Sequence, residues 1–223
     1  MSELPPPDPL PLVRESFPEL SAATLDKLGR LAALVRAWNE RVNLVSRKDV
    51  AHLEEHHVLH SLLVSKIMRP AAGAHLADLG TGGGFPGLPL AILFPDAKFT
   101  LVDSVAKKAR AVDDMAAALE LRNVRVITDR AQNLRDRFDY VLGRAVTALP
   151  EFLRWSAPLL RAGEKGSLAN GVLYFKGTLW REELAGAKTQ PIRTWDLHAL
   201  APREYFAEKF LLHFAAPVKN SIP

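Results

Sequence analysis

The chain has 223 residues, 48% of them apolar, a net charge of +4 and no cysteine. That much apolar material fills a sizeable core and excludes global disorder, while the missing cysteines exclude disulfides, thiolate nucleophiles and thiolate zinc sites. No stretch reaches the roughly 18 uninterrupted apolar residues of a membrane span, and no basic segment precedes an apolar one at the start, so an unexported, cytoplasmic protein without membrane contact is expected.

In chain order, Pro5-Pro6-Pro7-Asp8-Pro9-Leu10-Pro11 predicts a flexible, proline-rich tail over residues 1–20. Ser21 is a plausible N-cap, and Leu25, Leu28, Leu31, Leu34, Val35 and Trp38 follow at helical spacing. A second helical segment runs from about Asp49 to Met68, so residues 21–70 read as a helical N-terminal extension. After Pro70 short apolar runs alternate with helical stretches. The strands are Leu76 to Leu79, Phe99 to Val102, Val124 to Ile127, Tyr140 to Leu142 and Val172 to Phe175. The helices between them are Pro86 to Phe94, Val105 to Leu119 and Leu149 to Leu160. A helix around Leu179 to Ala187 and strands near Arg193 to Leu197 and Phe210 to Phe214 complete residues 71–223. Alternation of this kind predicts an α/β fold with a mostly parallel sheet.

The most informative segment is Leu76-Ala77-Asp78-Leu79-Gly80-Thr81-Gly82-Gly83-Gly84-Phe85-Pro86-Gly87. Glycines after a strand let backbone approach a nucleotide-like ligand, and the following helix is expected to aim unpaired N–H groups into the same crevice. Gly82-x-Gly84-x-x-Gly87 fits a dinucleotide fingerprint, with Asp103 about twenty residues on as the ribose acid. Asp78-x-Gly80-x-Gly82-x-Gly84 instead resembles the first motif of class I S-adenosylmethionine-dependent methyltransferases. A carboxylate at Asp78 suits a sulfonium and an ammonium and would repel a pyrophosphate, which favours the methyl donor. Asp103 closes a strand, where its two oxygens can accept both ribose hydroxyls. The loop after the third strand, with Ala131 and Gln132, reaches the same crevice, where methyltransferases commonly hold the adenine.

Further motifs make the resemblance specific. Gly80-Thr81-Gly82-Gly83-Gly84-Phe85-Pro86-Gly87-Leu88-Pro89-Leu90, Leu101-Val102-Asp103-Ser104 and Gly143-Arg144-Ala145-Val146 resemble the bacterial 16S ribosomal RNA guanine-N7 methyltransferase G family, also called glucose-inhibited division protein B. Trp38-Asn39-x-x-Val42-Asn43-Leu44-Val45-Ser46 and Phe175-Lys176-Gly177 extend the similarity over roughly residues 25 to 180. The resemblance implies a Rossmann-like class I fold with a seven-stranded sheet and S-adenosyl-L-methionine as cofactor. It assigns Gly80, Phe85, Asp103, Ala131, Gln132 and Arg144 to the cofactor, beside Asp78 and Gly82 of the loop. The substrate it implies is 16S rRNA or the small ribosomal subunit, methylated at a guanine N7 of the decoding region by a monomer. The chain departs from the family at His56 and His60, where an arginine and an aspartate are usual, and it lacks the basic residues often seen after the last strand.

Guanine N7 carries a lone pair and no proton, so alignment rather than a general base should dominate, and no catalytic residue is assigned. Arg144 is the positioning candidate, because arginine stays charged and moves no proton. Arg41, Arg47, Lys48, Lys107, Lys108, Arg110 and Lys176 are candidates for RNA contact through counterion release, with Arg47, Lys107, Lys108 and Lys176 foremost. Three rivals remain: methylation of another RNA guanine, an NAD-dependent reductase, and a nucleotide-binding module without turnover. His52-Leu53-Glu54-Glu55-His56 also matches a metal-hydrolase pattern, but with no clear third ligand no metal is expected.

Overall fold

The structure, a computed structural model, describes residues 6–217. Its sheet has seven strands, β1 (His75–Leu79), β2 (Lys98–Asp103), β3 (Val124–Thr128), β4 (Tyr140–Arg144), β5 (Gly171–Lys176), β6 (Arg193–Asp196) and β7 (Phe210–Ala215), in the order β3-β2-β1-β4-β5-β7-β6. Neighbours from β3 to β5 are parallel, and β7 runs antiparallel to both β5 and β6. Every strand expected from the sequence is present. The continuous apolar runs of β1, β4 and β5 are explained by burial on both faces, whereas β3 lies at the edge and turns Arg125 outward. The strand order reverses between β1 and β4, and the crevice beyond their carboxyl ends is where ligands bind in sheets of this kind.

Among the described residues the helices are α1 (Pro11–Ser16), α2 (Ala22–Asn39), α3 (Arg47–Val50), a π-helical segment (Glu54–Leu59), α4 (His60–Leu62), α5 (Gly87–Leu93), α6 (Ala106–Ala118), α7 (Leu149–Ser156), α8 (Trp180–Glu183) and α9 (Leu197–Leu200), with short 3₁₀ turns between. Ser21 caps α2 as expected, its Oγ accepting the Thr24 N–H at 3.1 Å. The α2 stripe of Leu28, Leu31 and Val35 joins one core with Leu88 of α5, Leu101 of β2 and Met115 of α6. On the other face Phe152 of α7 stacks on Tyr174 of β5 at 4.0 Å, within a core that includes Val141 and Phe214.

Two expectations need correction. Residues 1–5 of the predicted tail lie outside the described residues, but the rest of it is docked. Pro11 opens α1, where its missing N–H costs nothing, and Leu10, Val13 and Phe17 are buried at a helical spacing that the prolines hid. Asp8 donates its N–H to the Gly29 carbonyl and pairs with Arg36 at 2.6 Å. Gly29 permits this crossing, since a Cβ there would sit 2.5 Å from the Asp8 carbonyl oxygen. The second helical segment is also not one helix. It breaks after α3 and continues as a π turn, which rotates His56, His57 and His60 toward the crevice.

Candidate active site

The glycine loop after β1 is built almost wholly from its own backbone. Gly80 and Thr81 donate to the Val102 carbonyl at 2.8 and 3.0 Å, and Gly84 and Phe85 donate to Thr81 at 2.9 and 3.0 Å. Gly80 has φ +69°, and a Cβ there would lie 2.9 Å from the Val146 methyls, so glycine lets the β1 and β4 loops touch. Gly84, at φ +89°, has no room either, with Leu88 Cδ1 2.4 Å from the same imagined atom.

Asp78 sits beneath this loop and does not line the crevice. Its Oδ2 accepts the Thr81 hydroxyl at 2.6 Å and the Gly87 N–H at 2.9 Å, while Oδ1 has no partner among the described residues. Burial pushes its pKa up to about 6, against the pull of those two donors and of Arg144. The direct contact with a cationic ligand expected of Asp78 is therefore replaced by a structural one. The free helix N-terminus expected after the loop is absent too, because Asp78 takes the first N–H of α5 and the Gly84 carbonyl takes the next, from Leu88, at 2.7 Å. A carboxylate stands where a pyrophosphate-binding loop offers donors.

Asp103, at the end of β2, lines the crevice. One oxygen accepts the Gly82 N–H at 2.9 Å and the other the Val105 N–H at 2.8 Å, which fixes the carboxylate and leaves a further lone pair on each oxygen. One strand over, Thr128 pairs with Asp103 in register, and Ala131 and Gln132 begin a 3₁₀ turn just beyond. These two lie outside the cavity wall, with Gln132 exposed.

The opposite wall is built from side chains. Arg144, at the end of β4, is half-buried and forms no ion pair among the described residues. It donates from Nη1 to the His56 carbonyl at 2.8 Å and from Nη2 to His57 Nδ1 at 2.7 Å. Because arginine only donates, Nδ1 of His57 is the acceptor and its ring proton sits on Nε2. Burial, with the neighbouring Arg144 charge, holds the His57 pKa down to about 3, so the ring is neutral. Its Nε2 is buried without a partner, as is that of His60. Tyr205 donates to the His56 carbonyl at 3.3 Å, and Phe85 lies under the Arg144 guanidinium at 5.7 Å.

Together these walls enclose a cavity of about 870 Å³ that Gly80, Gly82, Phe85, Asp103, Lys108, Arg144 and Lys176 all line. Lys176 is tied to Glu183 at 2.5 Å within the wall, so it is not a free cation for RNA. Arg47 and Lys107 lie outside the cavity and are exposed. No cluster of metal-ligating side chains exists among the described residues, and His52 and His56 stack as rings instead.

The cavity suits a nucleoside whose sugar meets Asp103 and whose far end carries an anionic group toward Arg144. Most loop N–H groups, those of Gly80, Thr81, Gly82, Gly84, Phe85 and Gly87, are already taken by protein acceptors, so few are left for a phosphate. The family model described as rRNA small subunit methyltransferase G (GidB) matches residues 24–196. The chain belongs to this family. Ribosomal RNA small subunit methyltransferase G of Flavobacterium johnsoniae is 41% identical over 204 residues, covering 91% of this chain and 96% of that one. Its counterpart in Cytophaga hutchinsonii is 39% identical over 205 residues, covering 92% and 99%. Among solved structures, a SAM-dependent methyltransferase from Aquifex aeolicus superposes with a TM-score of 0.56 at 14% identity, covering 76% of this chain and 98% of that chain. Geranyl diphosphate C-methyltransferase from Streptomyces coelicolor A3(2), in complex with S-adenosyl-L-homocysteine, gives 0.57 at 12% identity, covering 89% and 99%. At such identities these two establish the Rossmann-like class I fold alone.

Sequence reasoning missed three contributors to this GidB-family site. His57 orients Arg144 and was not singled out in the sequence, although it directly follows His56. Asn39 was noted only as part of a motif. Its Oδ1 accepts the Leu44 and Val45 N–H groups at 2.8 and 3.0 Å, turning both residues into the cavity wall. Tyr205 had no signal, because it arrives from a far segment of the chain.

Proposed function

We propose that the protein transfers a methyl group from S-adenosyl-L-methionine to N7 of a guanine in 16S rRNA, acting on the small ribosomal subunit as a monomer in the cytoplasm. The observation that carries the choice of cofactor is the Asp78 carboxylate under the glycine loop, which occupies the α5 N–H that a pyrophosphate would need. It argues against the NAD-dependent reductase. Asp103, Gly80 and Gly82 hold the ribose side, Ala131 and Gln132 the adenine beyond β3, and Arg144 with Phe85 the methionine end. When bound, the cofactor supplies an electrophilic methyl on a positive sulfur, which N7 accepts through its lone pair without a general base. The chain's part is therefore alignment, worth on the order of 7 kcal/mol or more when reacting atoms are held in line. Arg144 cannot shuttle protons, and the neutral His57 is engaged as its acceptor through Nδ1, which fits a transfer that needs no general base.

Two measurements test this. In calorimetry, S-adenosylhomocysteine should bind and NAD should not, and the reverse sinks the cofactor reading. Mapping N7-methylguanosine in 16S RNA from cells with and without the gene should show one decoding-region guanine losing its methyl group. An unchanged map refutes the substrate.

A further inference from the structure

The histidine-rich segment carries a feature that the methyl-transfer reading does not use. His52 stacks on His56 at 4.8 Å with planes 19° apart, and His56 stacks on Tyr205 at 3.7 Å and 12°. The column runs from an exposed ring at His52 into the cavity that His56 and Tyr205 line. At its inner end the Lys209 ammonium lies 4.0 Å over the Tyr205 ring, and at its outer end His52 is exposed.

The charges around it are sorted. Asp49 is occupied by His56 at 2.8 Å and by the Ser46 hydroxyl at 2.6 Å. Glu54 accepts the Leu12 and Val13 N–H groups at 2.6 and 3.0 Å, and Glu55 pairs with Arg203 at 2.8 Å. On α3, one turn before His52, Arg47 and Lys48 are exposed and form no ion pair among the described residues. The carboxylates are satisfied inward and the cations are left outward.

A stack of rings beside unpaired cations is how proteins hold single-stranded nucleic acid, with bases on rings and phosphates on cations. We propose that His52 is a docking step for the substrate RNA, its open face stacking on a base that flanks the methylated guanine while Arg47 and Lys48 contact the adjoining phosphates. The proposal rests on the RNA-methyltransferase reading. It gives the exposed end of the column a ligand class, an unpaired nucleotide next to the target.

The test uses the full chain and a fluorescently labelled single-stranded RNA of about ten nucleotides spanning the target guanine, read by anisotropy. His52→Ala should weaken binding about tenfold, His52→Trp should restore it, and both should bind S-adenosylhomocysteine like the parent protein. The double variant Arg47→Gln/Lys48→Gln should lower the slope of log affinity against log salt by about 1.4. The proposal is overturned if His52→Ala binds the RNA like the parent, if His52→Trp is as weak as His52→Ala, or if the parent does not bind the strand. A parent protein that binds both ligands yet leaves guanine N7 unmethylated would sink the functional reading and spare the docking step.

Discussion

The loops after β1 and β4 face each other across one cavity and are made by opposite means. The β1 loop takes its shape from glycines, backbone hydrogen bonds and two carboxylates within about one βαβ unit of it. The β4 loop holds a half-buried cation whose partners, the His56 carbonyl and the His57 ring, come from a π turn nearly ninety residues earlier. One wall pairs most of its backbone within the loop and leaves a single buried carboxylate oxygen, Asp78 Oδ1, without a partner among the described residues. The other leaves two buried ring nitrogens, Nε2 of His57 and of His60, unpaired at a cost to stability.

The largest expected effect is on the unpaired wall. Arg144→Met should cut turnover on the order of 10² to 10³-fold, while chemical denaturation moves by less than about 2 kcal/mol, because lost hydrogen bonds and relieved burial of charge oppose each other. Arg144→Lys should not rescue, since a single ammonium cannot serve both His56 and His57. A large stability loss with normal residual activity would erase the contrast. Gly84→Ala attacks the backbone-built wall. With φ +89° and Leu88 in the way it should cost about 2 to 4 kcal/mol, whereas Gly186→Ala, at φ +77° with nothing near, should cost about 1. Thermal melts of the pair check this.

The walls also respond oppositely to pH. The folded pKa of Asp78 lies above its ordinary value of 3.8, so its contribution to stability is present in acid and is lost as pH rises from about 4 through about 6. Replacing it with asparagine should remove that loss, the difference from the parent changing by about 3 kcal/mol between those limits in urea titrations. His57 is depressed from 6.5 to about 3, so its contribution is full above pH 6.5 and fades toward pH 3. Nitrogen-15 spectra of the imidazole should show it neutral, with the proton on Nε2, at pH 5. A titration near 6.5 would contradict its burial beside Arg144. The smallest effects concern division of labour. Lys107→Ala should weaken RNA binding about twofold with an unchanged cofactor affinity, and Asp103→Ala the reverse, with a fall of about tenfold for S-adenosylhomocysteine.

This contrast explains what could be read in the chain. The strands were legible because each is a short apolar run bounded by turn residues, and the Ser21 cap because capping is local. Asp103 and the glycines were legible because their partners lie within one βαβ unit. Asp78 was recognised as important but given the wrong neighbour, since a sequence cannot say whether a carboxylate faces a ligand or the underside of its own loop. The role of His57 depends on a carbonyl, a ring and a strand end meeting from distant segments, and no periodicity encodes that. α1 was misread because prolines outweighed an apolar spacing of only three residues, Leu10, Val13 and Phe17.

The ring column and its ties have a consequence for synthesis. Tyr205 stacks on His56 and bonds its carbonyl, and Arg203 holds Glu55 and Glu15, so the segment that aims Arg144 is buttressed from late in the chain. A nascent chain still lacking residues 203–205 has β1 to β5 and both partners of the Arg144 guanidinium, but not the stacking and ion-pair supports of the turn that carries them. On the proposed reading, a protein that modifies ribosomes completes its competent site only after residue 205 has emerged from the ribosome that is making it.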